Sequence, residues 1–414
     1  MTVHLRPLLG IAALLLVGVV FSSDRRNIRP RVILPALTCQ FAFGLLMLGV
    51  PAGRAALSAL AGSISWVADF GHVGISFVFG ALANPELTRS ISGAGLIFAI
   101  NILPQIIYLS ALIGVLYHYN VMQLVARGIG AVLTKLIGVS TVEAFSSAMA
   151  MFLGQTEVPI AIRPYLMSLS RSELLSAMSS GTASISMSML AAYAGLGVPV
   201  TYLLAASFMA MPGGLLFAKL IMPSDGKERN DLTQVETREI RSANVFDALA
   251  VGAGNGLKVA VSVAAMLIAF ISTIALLNAI LGIIGHKTGF PDLSVGTLFG
   301  CVLRPVIWLL GVPWDQSSIV AGIVGTKIAV NEFVAYGSLA PFYTHQGLTP
   351  QALAIASFAL CGFANLSSIG VLIGSFGSQC PERRQEVARL GWQAVLAGTL
   401  SNLTSAAIAG MFIS

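Results

Sequence analysis

The chain has 414 residues, 56% of them from the set AVILMFWYC and only 10% charged, whereas soluble domains run at roughly 45–50% apolar and about 25% charged. A water-exposed surface cannot be assembled from that composition, and 23 basic against 17 acidic residues, a net +6, are too sparse to build a nucleic-acid face. Disorder and a collagen-like chain are excluded by the apolar fraction and by the lack of a Gly-x-y period. Cys39, Cys301, Cys361 and Cys380 form no CxxC pair and read as small packing residues rather than a zinc or disulfide framework. The longest polar stretch, from Pro223 to about Asp247, is too short for a soluble domain, so the function lies in the membrane part.

Crossing about 30 Å of hydrocarbon takes around 20 mostly apolar residues. In chain order such segments fall at 7–22, 32–50, 93–117, 173–197, 201–222, 249–283, 350–376 and 387–413. The first is followed by Ser-Ser-Asp-Arg-Arg rather than a small-x-small cleavage site, which makes it a retained helix and not a signal peptide. Residues 51–72 and 119–138 carry isolated charges (Arg54, Asp69; Arg127, Lys135) on apolar helical patterns and suit interfacial helices. Residues 141–168 and 313–345 are apolar at both ends and polar in the middle, around Gly154-Gln155-Thr156-Glu157 and Lys327 to Asn331-Glu332. Lipid would not tolerate those centres in a continuous helix, whereas a re-entrant hairpin with its tip buried in protein would.

Arg25, Arg26, Arg29 and Arg31 make the first loop cytoplasmic. With both hairpins re-entering, Arg127, Lys135, Arg171, Lys219, Lys227, Arg229, Arg238, Arg241, Arg383, Arg384 and Arg389 share that side, leaving Arg6, Arg54, Arg89 and Lys287 opposite. The expected fold is therefore an all-α polytopic membrane protein with eight transmembrane helices, two re-entrant hairpins and both termini outside.

A carboxylate at mid-membrane costs at least about 2.5–3.5 kcal/mol on insertion scales, so Glu157 and Glu332 need a reason to be there. Each could merely pair with a nearby cation, Arg163 or Lys327. Their places at the centres of the two interruptions point instead to a transport site. Asn365-Leu366-Ser367-Ser368 interrupts another apolar span, as interhelical hydrogen-bonding residues or as a third part of the site; Ser184-Ile185-Ser186-Met187-Ser188 reads more readily as helix packing. Amides, hydroxyls and two carboxylates without a cluster of cations suit a neutral, hydroxylated solute with an amide-bearing ring better than a phosphate.

At Gly154-Gln155-Thr156-Glu157-Val158-Pro159, Asn331-Glu332-Phe333-Val334-Ala335-Tyr336 and Cys361-Gly362-Phe363-Ala364-Asn365-Leu366-Ser367-Ser368 the sequence closely resembles the bacterial concentrative nucleoside transporters. The likeness extends through Phe77-Val78-Phe79-Gly80, Pro212 to Lys219 and Gly311-Val312-Pro313-Trp314, covering essentially the whole chain. What the resemblance implies is an inner-membrane homotrimer of eight-helix protomers with opposed hairpins, importing nucleosides by cation symport and needing no cofactor. It implies a scaffold (1–138 and 248–312) and an elevator-like transport part (139–247 and 313–414). By the same resemblance Gln155, Thr156 and Glu157 address the base, Met189 and Phe363 pack near it, and Glu332, Asn365 and Ser368 hold the ribose hydroxyls. The sodium site of sodium-coupled members maps onto Leu153, Ser184 and Ile185, but its Asn position is Ala150 here, which has no side-chain oxygen for a hard cation. Ser186-Met187-Ser188 also resembles the proton-coupled branch, so a proton is expected over sodium, with Glu332 or Glu157 as carrier.

An intramembrane enzyme would need a nucleophile with its base or a metal set. There is no HExxH or GxSxG, and His4, His72, His118, His286 and His345 are scattered. Gly252-Ala253-Gly254-Asn255-Gly256 resembles a nucleotide loop only superficially, since no strand precedes it; helix packing is the expectation. A channel or facilitator differs from a symporter in failing to accumulate solute.

Overall fold

The computed structural model describes residues 2–84, 86–87, 97–224, 242–290, 293–344 and 347–413, and no strand occurs among them. Arg89, Lys227, Arg229, Arg238, Arg241, His345 and the start of the expected 93–117 span lie outside these residues. The first helices are α1 (Thr2–Val20) and α2 (Pro30–Gly44), the latter extended by a wider turn over Leu45–Gly49. Next come α3 (Pro51–Asp69), α4 (Gly71–Phe79), α5 (Leu103–His118) and α6 (Val121–Ile137). Pro30 and Pro51 each open a helix, where the missing N–H costs nothing.

The first expected hairpin region consists of α7 (Thr141–Leu153), a turn at Gly154–Glu157, and a short helix over Val158–Ala161. It is followed by α8 (Arg171–Ala183), α9 (Met187–Gly195), α10 (Val200–Ile221) and α11 (Val245–Thr288). Both α7 and α8 start in capping boxes, Ser140 with Glu143 and Ser170 with Glu173, which satisfy free N–H groups that lipid could not. Then α12 (Val295–Leu309) meets α13 (Trp314–Ala329) at a bend of 119°. Arg304 stiffens that corner by donating to the Trp314 carbonyl (3.0 Å) with its guanidinium 4.1 Å from the indole centroid. The second hairpin turns at Asn331 into α14 (Glu332–Leu339), and α15 (Pro350–Leu360), α16 (Ser367–Gln379) and α17 (Arg384–Phe412) complete the chain.

Among the described residues six helical segments are long and apolar enough to cross a membrane, seven if the bent α12–α13 pair is one span. The difference from the expected eight has identifiable causes. The 173–197 span is broken at Ser184–Ser186 and the 350–376 span over Cys361–Leu366, and α1 enters the comparison only over Arg6–Val20. Conversely, Pro51–Ala83 passes the same test although only an interfacial segment over 51–72 is expected there, because Arg54 and Asp69 are its only charges. Helix α12 has no counterpart among the expected elements.

The core centres on α10, whose apolar stretch is 94% buried against α2, α7, α8 and α17, while that of α11 is 6% buried. Lys219, expected on the cytoplasmic side at the end of the 201–222 span, is inside this core. Its ammonium lies 2.6 Å from Glu143 and donates to Ser172 Oγ (3.1 Å), joining α7, α8 and α10 at one end.

The packing expectation for the glycine run is met. A Cβ on Gly256 would lie 2.7 Å from the Ile107 Cα, and one on Gly252 2.6 Å from the Ser110 carbonyl, so α11 touches α5 backbone to backbone. Gly256→Leu is expected to destabilise the protein by about 1–3 kcal/mol through overpacking, read as a lower thermal midpoint in detergent. An unchanged midpoint would refute the close approach.

Candidate functional site

The two hairpin turns and the two helix breaks converge on one cavity of about 500 Å³. Gln155, Thr156 and Glu157 reach it from the first hairpin and Glu332 from the second. Met189 enters from the α8–α9 break; Phe363, Asn365 and Ser368 enter from the α15–α16 break. All eight expected substrate residues thus share one space although they span residues 155 to 368.

The first turn and the two breaks have identifiable causes. Gly154 sits at φ +78°, a conformation that L side chains rarely adopt, and a Cβ there would lie 3.0 Å from Ser186 Cβ and 3.2 Å from the Phe363 ring. That close approach lets the first hairpin turn against both helix breaks. The breaks are joined through the main chain, Phe363 N–H donating to the Ser184 carbonyl (3.3 Å). Their freed carbonyls are taken up by a buried node: Lys327 Nζ donates to the Ala359 carbonyl (2.8 Å) and Asn402 Oδ1 (2.7 Å). Asn402 Nδ2 in turn donates to the carbonyls of Ala183 (2.6 Å) and Cys361 (2.8 Å). A Cβ at residue 362 would run into Asn402 and the Ala183 carbonyl, which is why glycine stands there.

Glu332 opens α14, where the helix N-terminus favours a carboxylate. It is buried, its Oε1 accepting from Tyr193 OH (2.9 Å) and its Oε2 from Asn365 Nδ2 (3.0 Å). A carboxylate offers about four acceptor positions, more than these side-chain contacts use, which leaves capacity for a solute. Asn365 Oδ1 accepts from Ser367 Oγ (2.6 Å) and the Ser368 N–H (2.9 Å), while Ser368 Oγ donates to the Phe363 carbonyl. Gln155 Nε2 donates to Ser368 Oγ (3.1 Å), linking the first hairpin region to this chain of bonds; its Oε1 is buried with no partner among the described residues, an acceptor for a ligand N–H. Glu157 is half-buried, Thr156 exposed to the cavity, and Phe363 and Met189 supply apolar surface.

Simple ion pairing does not account for the two carboxylates. Among the described residues neither Glu157 nor Glu332 has a cation within 4.0 Å, Arg163 is exposed, and Lys327 is engaged in its own node. At the expected cation position, Ser184 Oγ lies 3.0 Å from the Ala150 carbonyl and 2.9 Å from that of Ser180, and Ile185 is buried. Leu153 lines the cavity wall. Sequence reasoning missed Tyr193, Lys258 and Ser262, quoted Asn331 and Phe333 without assigning them a role, and underrated Ser186 and Ser188, whose hydroxyls pair at 3.0 Å on the wall. Lys258 had a signal: a lysine inside an apolar span must face a cavity or a partner. Nothing local marks Tyr193.

Comparison with known proteins agrees with this architecture. Residues 202–410 match the Na+ dependent nucleoside transporter C-terminus, residues 9–82 its N-terminus, and residues 99–199 a nucleoside recognition gate. Nucleoside permease NupC of Helicobacter pylori is 44% identical over 407 residues, covering 98% of this chain and 96% of that protein. Sodium/nucleoside cotransporter 1 of Mus musculus is 33% identical over 417 residues, covering 97% of this chain and 63% of that protein. The solved structure of CNTnw in an inward-facing substrate-bound state is 44% identical, with a TM-score of 0.95 and coverage of 99% of this chain and 98% of that one. These relatives are transporters rather than enzymes, and with several helices long and apolar enough to cross a membrane this chain is a multi-pass inner-membrane protein. The chain accordingly belongs to the concentrative nucleoside transporter family, and it is a nucleoside transporter.

Proposed function

We propose that this transporter imports nucleosides by proton symport, the base lying against Gln155, Thr156, Glu157, Met189 and Phe363 and the ribose held by Glu332, Asn365 and Ser368. The observation that carries the reading is the meeting of both hairpin turns and both helix breaks around one cavity with two carboxylates. The free Gln155 Oε1 suits an amide or amine hydrogen on a base, and Glu332 retains acceptor positions for a diol. Residues 139–247 and 313–414 act as the moving part and 1–138 and 248–312 as the scaffold of an elevator-like homotrimer with eight crossings, two of them broken. The largely unburied apolar surface of α11 supports a scaffold position against lipid or a second copy.

For the coupling ion, Ala150 lacks a side-chain oxygen, and the nearby Ser184 hydroxyl spends its proton on main-chain carbonyls, one of them Ala150's own. A sodium ion there would have to displace that contact, whereas Glu332 and Glu157 can each take a proton. The sodium reading is favoured by the family description and by the printed name of the mouse relative.

Uptake of labelled uridine and adenosine into proteoliposomes, with proton and sodium gradients imposed separately, tests this. Accumulation driven by an inward proton gradient alone is expected. Accumulation that follows sodium and ignores pH would overturn the proton assignment, and equilibration without accumulation would overturn symport altogether.

A further inference from the structure

Tyr193 lies one turn beyond Met189 on α9, fully buried and outside the cavity wall. Its ring is held between those of Phe333 (centroids 5.2 Å apart) and Tyr336 (4.9 Å), and Tyr336 is itself anchored through its hydroxyl to the Ser357 carbonyl (2.8 Å). The phenol therefore has little freedom, and among the described residues its side-chain bond runs to Glu332 Oε1 at 2.9 Å. Asn365 holds the other carboxylate oxygen from the opposite helix break. Two donors on separate elements fix the plane of the carboxylate; one donor alone would let it rotate about its terminal bond. We propose that Tyr193 is a positioning residue for ribose recognition: it holds Glu332 in the orientation that presents its remaining acceptor positions to the sugar hydroxyls, and it ties the distal half of the first broken helix to the tip of the second hairpin. This rests on the ribose reading of Glu332 given above.

The role is distinct from packing, because the aromatic contacts survive loss of the hydroxyl. Tyr193→Phe keeps the ring and removes only the donor. In proteoliposomes its KM for uridine and adenosine is expected to rise about tenfold, the scale of one hydrogen bond to a charged group. KM for the 2′,3′-dideoxy counterparts, which lack the hydroxyls, is expected to change less than about twofold, and maximal velocity to hold. The preference for ribose over dideoxyribose then falls about tenfold. A second readout that needs no transport is thermal stabilisation of the detergent-purified protein by uridine and by 2′,3′-dideoxyuridine, where the variant should lose the difference between the two.

Equal loss for both sugars, or an unchanged preference in the variant, overturns the positioning role while leaving the ribose assignment intact. A wild-type protein that does not distinguish ribose from dideoxyribose overturns the ribose assignment itself. A variant with a lowered thermal midpoint in the absence of nucleoside, together with equal losses for both sugars, identifies a packing role and also overturns the proposal.

Discussion

Replacing Glu332 with Gln is expected to lower nucleoside uptake about 100-fold or more while leaving a folded protein. Each hydrogen bond to a charged group is worth about 1.5–3 kcal/mol, and two bonds from a sugar diol would reach that factor. The surrounding geometry explains why the fold should survive. Asn365 Nδ2 and Tyr193 OH both donate to the carboxylate. A Gln amide can keep its carbonyl toward Asn365 and turn its NH2 toward Tyr193, whose hydroxyl can accept instead of donate. The internal bonds are then preserved and the loss falls on the solute. Uptake of labelled nucleoside, with size-exclusion and thermal profiles to confirm folding, checks it; normal transport by Glu332→Gln would remove Glu332 from both the ribose and proton roles.

The second large effect concerns stability. Lys327→Met should destabilise the protein by about 2–6 kcal/mol, because it strips the partner from two buried acceptors, each costing about 1–3 kcal/mol when left unmade. Those acceptors are the Ala359 carbonyl and Asn402 Oδ1, and through Asn402 the loss reaches the carbonyls of Ala183 and Cys361. All three carbonyls lie at the C-terminal ends of α8 and α15, where helix dipoles favour a cation, and no water is at hand in a membrane interior to replace the ammonium. Thermal unfolding in detergent is the measurement. A Lys327→Met midpoint equal to wild type would mean the node holds nothing together. A drop shared by Asn402→Ala would locate the effect in the node rather than in the charge alone.

The signals that were local in sequence transferred well to the structure. The polar centres of 141–168 and 313–345 interrupt their helices, at Gly154–Glu157 and at Val330–Asn331. The Asn365-Leu366-Ser367-Ser368 island becomes a helix break, because those side chains bond the main chain more locally than a helix allows. The break at Ser184–Ser186 was harder to see. Serine is tolerated inside membrane helices, and what opens this one is the Gly154 turn and Phe363 pressed against it from elsewhere in the chain. Helix α12 escaped notice because Arg304 interrupts its apolar run; that arginine is paid for by the Trp314 ring and carbonyl. Lys219 read only as a cytoplasmic-side charge because its partner, Glu143, lies on another helix.

Composition and apolar run lengths by themselves determined a membrane-embedded, all-helical chain, and the placement of a few charges within those runs determined where its polar centres lie. Both follow from the cost of exposing backbone or charge to hydrocarbon, a cost set residue by residue. Only the tertiary structure decided that Gln155, Met189, Glu332 and Asn365 face one cavity, that Tyr193 stands behind Glu332, and that Lys327 closes the ends of two broken helices. Those relations depend on which helix faces meet, and interhelical hydrogen bonds join residues as far as 365 positions apart, as between Gln40 and Ser405. No local pattern records such a pairing, because its energy exists only once both helices are packed.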